Sequence, residues 1–271
     1  MAYPTLGLHR LWYCQYHFVE KVGDMRLYVV LGFLCMLLCG AQAFAGERIR
    51  IGAEDDWSPY SSSVNGKPQG FAVDLVRAAW AASGLDVELV PLPYARCMKE
   101  VDRGDLAGCF DTLRDPVLES KYRWHQHPLF QARIGIYGRA GTGTASKAIG
   151  VDMLRGKRIG TTHGYDYGAA FDNDRSMLRD EAPSDVSSLR KLVAGRVDYV
   201  LVFDRVANAI AKMHPELGQA YSLQGVLVEP RIYISFSPKY PDIDRIIGLF
   251  DQGMAKVRKS GEYARIEAQW R

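Results

Sequence analysis

Residues 48–54, RIRIGAE, alternate apolar and polar positions, the period of a strand with one buried face. NGKPQG (65–70) is a hairpin or loop signal. The period then changes. FAVDLVRAAWAASG (71–84) has apolar residues at 71, 75, 76, 79 and 80 and stops at a glycine, which predicts a helix. DVELVPL (86–92) predicts a strand, ARCMKEVDRG (95–104) a helix closed by Gly104, and LAGCF (106–110) a short strand. ARIGIYGR (132–139) opens a second passage. GTGTASKAIG (141–150) predicts a loop leading to a short helix, GKRIGTTHG (156–164) a turn and strand, and a helix is expected from about Tyr167. SSLRKLVAGRVDYVLVFDRVANAIAKM (187–213) predicts helix, strand, helix. From Arg231 a strand leads into amphipathic helices, the last restarting after Gly261. This order is βαβ grammar, so the fold class is α/β with helices over mostly parallel sheets. Two such sets joined by crossing segments predict two lobes.

The ends of the chain change the picture of where it works. Residues 27–38, LYVVLGFLCMLL, follow Arg26 and precede the small residues of AQAFAG. Ala43 and Ala45 form the small-x-small pattern of a cleaved secretory signal, so residues 1–45 are expected to be an N-terminal extension plus signal peptide, with Met25 as the true start. The competing reading is a membrane anchor, because the uncharged run from Leu27 to Gly46 is long enough to span; its second half, however, is small and polar. Export across a membrane follows. Removal of residues 1–45 takes Arg10, Lys21 and Arg26 against Glu20 and Asp24, so the net charge of +3 falls to +2. That is not a nucleic-acid binder's balance.

Of five cysteines, Cys97 and Cys109 remain after cleavage. Export favours a disulfide between them. Two buried free thiols are the alternative. Metal or redox chemistry lacks a C-x-x-C motif, and His125 and His127, the nearest histidines, sit in what reads as a surface turn. No metal or other cofactor is implied.

Several ordered segments resemble the periplasmic (extracellular) solute-binding proteins of family 3, the polar amino-acid-binding type of ABC transport systems. RIRIGAEDDWSPY resembles the first strand and its aromatic turn, and GKPQGFAVDLVRAAW the opening of the first helix. GDLAGCFDTLRDP resembles the strand and loop facing the ligand, LRGKRIGTTHGYDYG the start of the second lobe, and LVAGRVDYVLVFD and YISFSPKYPD later units. PYARC marks a divergent branch. The resemblance implies a two-lobed periplasmic-binding-protein-like fold (type II). Lobe one is expected at 46–133 plus 229–271, lobe two at 138–224, and hinge crossings at 134–137 and 225–228. A cleft at the carboxyl ends of the strands would close on a ligand.

The same resemblance nominates the ligand-binding residues. Glu54, Trp57 and Tyr60 follow the first strand; Trp57 could equally pack the lobe core. Arg96 lies in the first turn of its helix and could equally be a surface residue. Phe110, Asp111 and Thr112 follow the short strand, on the ligand-facing loop, with Arg114 close behind. In lobe two the candidates are Tyr165 and Asp166, at a turn whose free amides could hold an anion, and Phe203 and Asp204 at a strand end. Asp166 could instead cap the following helix. Asp74 reads as structural. The sequence departs from the family where an arginine clamps the ligand carboxylate: Leu118 stands there. Either Arg114 or Arg96 substitutes, or the ligand has no α-carboxylate.

The expected pocket is aromatic and unusually acidic, which points to a cationic or aromatic amine-bearing solute. The expected function is capture of a small polar solute, an amino acid or related amine, by a monomer that is not an enzyme. Its partner would be an ABC permease or a membrane sensor acting in trans, with no nucleic acid involved. The rival is a dehydratase-like enzyme on the same fold. For that reading His163, beside the lobe-two turn, is the residue of interest.

Overall fold

A computed structural model describes residues 48–141 and 148–270. The expected signal segment, residues 1–45, lies outside the described residues.

The first sheet is built from β1 (Ile49–Glu54), β5 (Val87–Leu92), β6 (Gly108–Leu113), β7 (Arg123–Trp124), β8 (Phe130–Gln131) and β14 (Arg231–Phe236). Its order is β5-β1-β6-β14-β7, with β8 also on β14. β1 is parallel to β5 and β6, and β14 runs antiparallel to β6. A small antiparallel sheet of β2 (Asp56–Trp57), β3 (Ser61–Val64) and β4 (Lys67–Gln69) leads into helix α1 (Phe71–Ser83). The predicted stripe of α1, Phe71, Leu75, Val76, Ala79 and Trp80, is buried. Helix α2 (Tyr94–Arg103) ends at left-handed Gly104, and α3 (Pro116–Lys121) is capped by the Asp115 carboxylate.

The second sheet comprises β9 (Ile134–Arg139), β10 (Arg158–Thr162), β11 (Leu178–Ala182), β12 (Tyr199–Phe203) and β13 (Tyr221–Val228), in the order β11-β10-β12-β9-β13. Helices α4 (Ala169–Asp172), α5 (Asp185–Val193), α6 (Asp204–Met213) and α7 (Pro215–Gly218) belong to this passage. Helices α8 (Ile243–Lys259) and α9 (Glu262–Gln269) close the chain, and α8 packs on α1. The result is a two-lobed α/β fold with a cleft between the lobes. Residues 134–137 and 225–228 lie inside β9 and β13, where Ile134 pairs with Val228. Among the described residues no helix is long and apolar enough to cross a membrane.

Four details differ from the sequence reading. β6 does not stop at Phe110. Pairing with β14 carries it to Leu113, so Asp111 and Thr112 are strand residues and not loop residues. The helix expected from Tyr167 is the single turn Ala169–Asp172, and its N-cap is Gly168, so Asp166 does not cap it. β13 is an additional strand whose alternation is interrupted by a register shift at Gly225, where any Cβ would lie 1.9 Å from the Ile149 carbonyl oxygen. His125 is fully buried instead of sitting in a surface turn, and its Nε2 accepts the Ile234 N–H at 2.9 Å.

Cys97 and Cys109 are disulfide-bonded, so neither is a free thiol or a metal ligand. The bridge joins α2 to β6 in a small core with Tyr94, Val101, Leu106 and Tyr122.

Candidate ligand-binding cleft

Strand ends from both lobes, and the segments just beyond them, supply the cleft, as open α/β sheets dictate. Glu54 is the last residue of β1, Trp57 lies in β2, and Asp111 lies near the end of β6. From the other side come Thr162 at the end of β10, the turn carrying Tyr165 and Asp166, and Phe203 at the end of β12. Gly164 makes the close approach possible: a Cβ there would lie 2.7 Å from Cβ of Ala95 in α2.

Six of the expected residues, Glu54, Trp57, Asp111, Tyr165, Asp166 and Phe203, surround one small void of about 10 Å³ together with Tyr94 and Leu113. Outside it lies a larger cavity of about 600 Å³. Lobe one lines this cavity with Glu54, Asp55, Asp56 and the start of α2. Lobe two lines it with Thr162, His163, Tyr165 and the segment from Glu181 to Ser184. Glu54, Tyr94 and Tyr165 border both spaces. The Tyr165 hydroxyl donates to Glu54 Oε1 across the cleft. The Tyr94 hydroxyl reaches Asp166 Oδ2 at 3.5 Å, and the rings of Tyr94 and Tyr165 meet edge to face at 5.6 Å.

The aromatic wall is continuous. Tyr60 stacks on Trp57 at 4.3 Å and on Phe130 at 5.0 Å, and Phe203 meets Trp57 edge-on at 4.8 Å. Trp57 is therefore both a core residue and a wall of the inner void, which joins the two roles that its sequence context left open.

The electrostatics are those of carboxyl groups short of cations. Burial pushes the Glu54 carboxyl well above its ordinary range, against the Tyr165 hydrogen bond, with Asp111, Asp185 and Asp56 adding to the rise. Burial alone pushes Asp111 up. Asp166 is raised to about 6, by burial first and then by Asp172 and Asp115. Asp185 is raised to about 7 by burial, although it accepts the Thr162 hydroxyl at 2.5 Å. Both Asp111 carboxylate oxygens are buried without a hydrogen-bond partner, and so is the Trp57 indole N–H.

The remaining candidates lie elsewhere. Phe110 is wholly buried in the main core. The Thr112 hydroxyl is 3.2 Å from the Cys109 carbonyl and 3.1 Å from the Ser235 hydroxyl. Asp204 accepts from Arg133 and from the Tyr137 hydroxyl. Arg114 bonds Glu119 at 2.6 Å and lies over the rings of Trp124 and Tyr233, while Arg96 is exposed. Leu118 packs against the disulfide core. Asp74 accepts the Trp270 indole N–H at 2.9 Å.

Sequence reasoning missed Tyr94, which borders both spaces, and Asp185, buried behind the cleft residue Thr162. Tyr94 lies two residues before Arg96, and the sequence marks it only as a strand-to-helix junction. Asp185 is a helix-start acid of the commonest kind, and only the fold brings it under Thr162. Among the described residues no group of three or more His, Cys, Asp or Glu is placed to hold a metal ion.

Fold and cleft together define a two-lobed binding protein of the periplasmic type. Residues 49–271 match the bacterial extracellular solute-binding proteins, family 3, and the chain belongs to that family. Membership agrees with the export expected from residues 27–45. A histidine kinase sensor domain with similarity to periplasmic binding proteins superposes with a TM-score of 0.72 at 21% identity, over 83% of this chain and 96% of that one. The arginine-, lysine-, histidine-binding protein ArtJ of Geobacillus stearothermophilus gives 0.69 at 20% identity, over 83% and 95%. An ancestral arginine-binding protein bound to arginine gives 0.68 at 21% identity, over 82% and 97%. These likenesses carry the fold. The search of curated proteins found no match.

Proposed function

We propose that the protein captures a small amine-bearing solute, an amino acid or related compound, in the cleft between its lobes, and releases it unchanged to a membrane partner. The observation that supports this best is the inner void itself: an aromatic wall around carboxyl groups, one of which, Asp111, has no partner. A cation is what such a wall recognises, through charge and through the faces of its rings. Relatives in fold whose names state a ligand include one that binds arginine, lysine and histidine. The membrane partner is an ABC permease or a sensor; the resemblance to a sensor domain keeps the second of these in view.

Titration calorimetry against amino acids, polyamines and aromatic amines tests the reading. Micromolar binding of an amine-bearing compound is expected, with no chemical change by mass balance. A micromolar fit to glutamate or aspartate instead would sink it, because either would add carboxylates to an already acidic cleft.

A further inference from the structure

Any solute with an α-carboxylate needs a cation or a set of free amides to hold it. Neither void described above is lined by an arginine or a lysine. Arg114 is engaged with Glu119 and two rings, Arg96 is exposed, and Arg205 lies against the rings of Tyr60 and Phe71 without lining either space. Four amides at or beside the lobe-two turn are also engaged. Thr162 N–H donates to the Tyr167 hydroxyl at 2.7 Å and His163 N–H to the Ala182 carbonyl at 2.8 Å. Tyr165 N–H donates to the Thr162 carbonyl at 3.1 Å and Tyr167 N–H to Asp172 Oδ2 at 2.9 Å. What the inner void does offer is carboxyl groups: Glu54, Asp111 and Asp166.

Asp111 is the decisive one. It is 5% exposed, both its oxygens are buried without a partner, and its backbone is held at φ 71°. That conformation is uncommon for a residue with a side chain and is kept only where the surroundings impose it. The pairing with β14 shows the device. Thr112 faces Tyr233 and Cys109 faces Ser235, so Phe110 and Asp111 together stand opposite Ile234 alone. This is a bulge, and a bulge re-aims a side chain. A buried carboxyl group left without a partner is costly, and a ligand ammonium would supply the partner.

We propose that the cleft is built for an organic cation without a carboxylate, the decarboxylated counterpart of a basic amino acid, with its ammonium on Asp111. This rests on the binding function above and narrows it.

The test is a set of matched pairs that differ only in the α-carboxylate: ornithine against 1,4-diaminobutane, lysine against 1,5-diaminopentane, and arginine against agmatine, each titrated into the mature protein. In at least one pair the decarboxylated member is expected to bind more tightly by about tenfold or more, the usual cost of burying an uncompensated charged group. If instead the amino acid of each pair binds as well as or better than its amine, the inference is overturned while the binding function stands. If no member of any pair binds, the inference is overturned, and the binding function falls with it only if the aromatic amines and other amino acids of the wider panel also fail to bind. Asp111→Asn keeps the size and tolerates the positive φ, and is expected to weaken the amine by about 10- to 100-fold, the worth of a charge-assisted hydrogen bond. Unchanged affinity in an Asp111→Asn protein that melts normally would remove Asp111 from the site. The matched pairs decide the ligand class on the parent protein even if that variant does not fold.

Discussion

Cys109 and Asp111 are two residues apart on β6, yet they sit in opposite kinds of surroundings. In a regular strand they would share a face. Cys109 turns to α2 and is bonded to Cys97, and close by, Thr112 and Ser235 hydrogen-bond each other and the Cys109 carbonyl. Asp111 turns to the cleft and meets no donor. The bulge between them separates a staple, in which each group is satisfied within the fold, from a group whose satisfaction must come from outside. Unsatisfied burial beside satisfied burial on one strand is a more specific sign of a binding site than acidity or aromatic content alone.

The largest expected effect breaks the satisfied half. The cysteines are 12 residues apart, and closing a loop of that order is worth about 3 kcal/mol in the unfolded chain. A Cys97→Ser/Cys109→Ser protein is expected to unfold at correspondingly lower denaturant, with ligand affinity kept wherever it remains folded. Loss of binding in a folded double variant would mean that the staple also shapes the cleft.

A smaller effect is expected from the unsatisfied half, read as stability against pH. Burial raises the carboxyl groups of Glu54, Asp111, Asp166 and Asp185 above their unfolded values. The folded protein therefore holds protons that the unfolded chain gives up. Their stabilisation is complete below about pH 4, where unfolded carboxyl groups titrate, and is lost as pH rises. It goes through about 6 for Asp166 and about 7 for Asp185. Carboxylates held down by partners act the other way: Asp174, lowered to about 2 by Ser176 and Arg155, adds stability that disappears in stronger acid. The unliganded protein is thus expected to melt at a lower temperature at about pH 8 than at about pH 5. Asp111→Asn should narrow that difference, whereas an equal fall in the variant would show that Asp111 does not hold a proton.

Much of this arrangement was legible in the sequence, and the illegible parts share a cause. Strand and helix periods identified β1, α1, β5, α2 and the second βα set, and in α1 the buried stripe is the predicted one. β11, LRDEA, has a mostly exposed pattern on a sheet edge and no stripe to detect. β13 carries its alternation through a bulge at Gly225, which breaks the period. Around the inner void, the expected residues Glu54, Trp57, Asp111, Tyr165, Asp166 and Phe203 come together from the ends of strands and the turns beside them, the places that the family resemblance points to. Asp204 was expected beside Phe203, but the strand ends there and the helix begins, so its carboxylate turns to Arg133 and Tyr137. Whether a charged side chain near a cleft faces it or pairs elsewhere depends on partners distant in sequence. A single chain does not print those partners.

The two arginines make the smallest expected effect and the sharpest contrast with Asp111. Both were candidates for the missing clamp, and both are cations beside an anionic cleft. The Arg114 guanidinium lies 5.8 Å from the Trp124 ring centroid and 5.6 Å from that of Tyr233, with Glu119 at 2.6 Å. Withdrawing it to serve a ligand would break an ion pair and two ring contacts. Arg96 is exposed at the start of α2, just after the Tyr94–Ala95 edge of the cavity. Arg114→Ala is expected to cost about 1 kcal/mol of stability or less, the scale of an exposed pair with a ring contact, and Arg96→Ala still less. Neither should weaken amine binding, and the loss of a positive charge near an acidic cleft can only favour a cation, weakly and more so at low salt. If either variant loses affinity for an amino acid that the parent binds, that arginine swings into the cleft on closure, and the division between satisfied and unsatisfied groups seen along β6 does not extend to the cations around it.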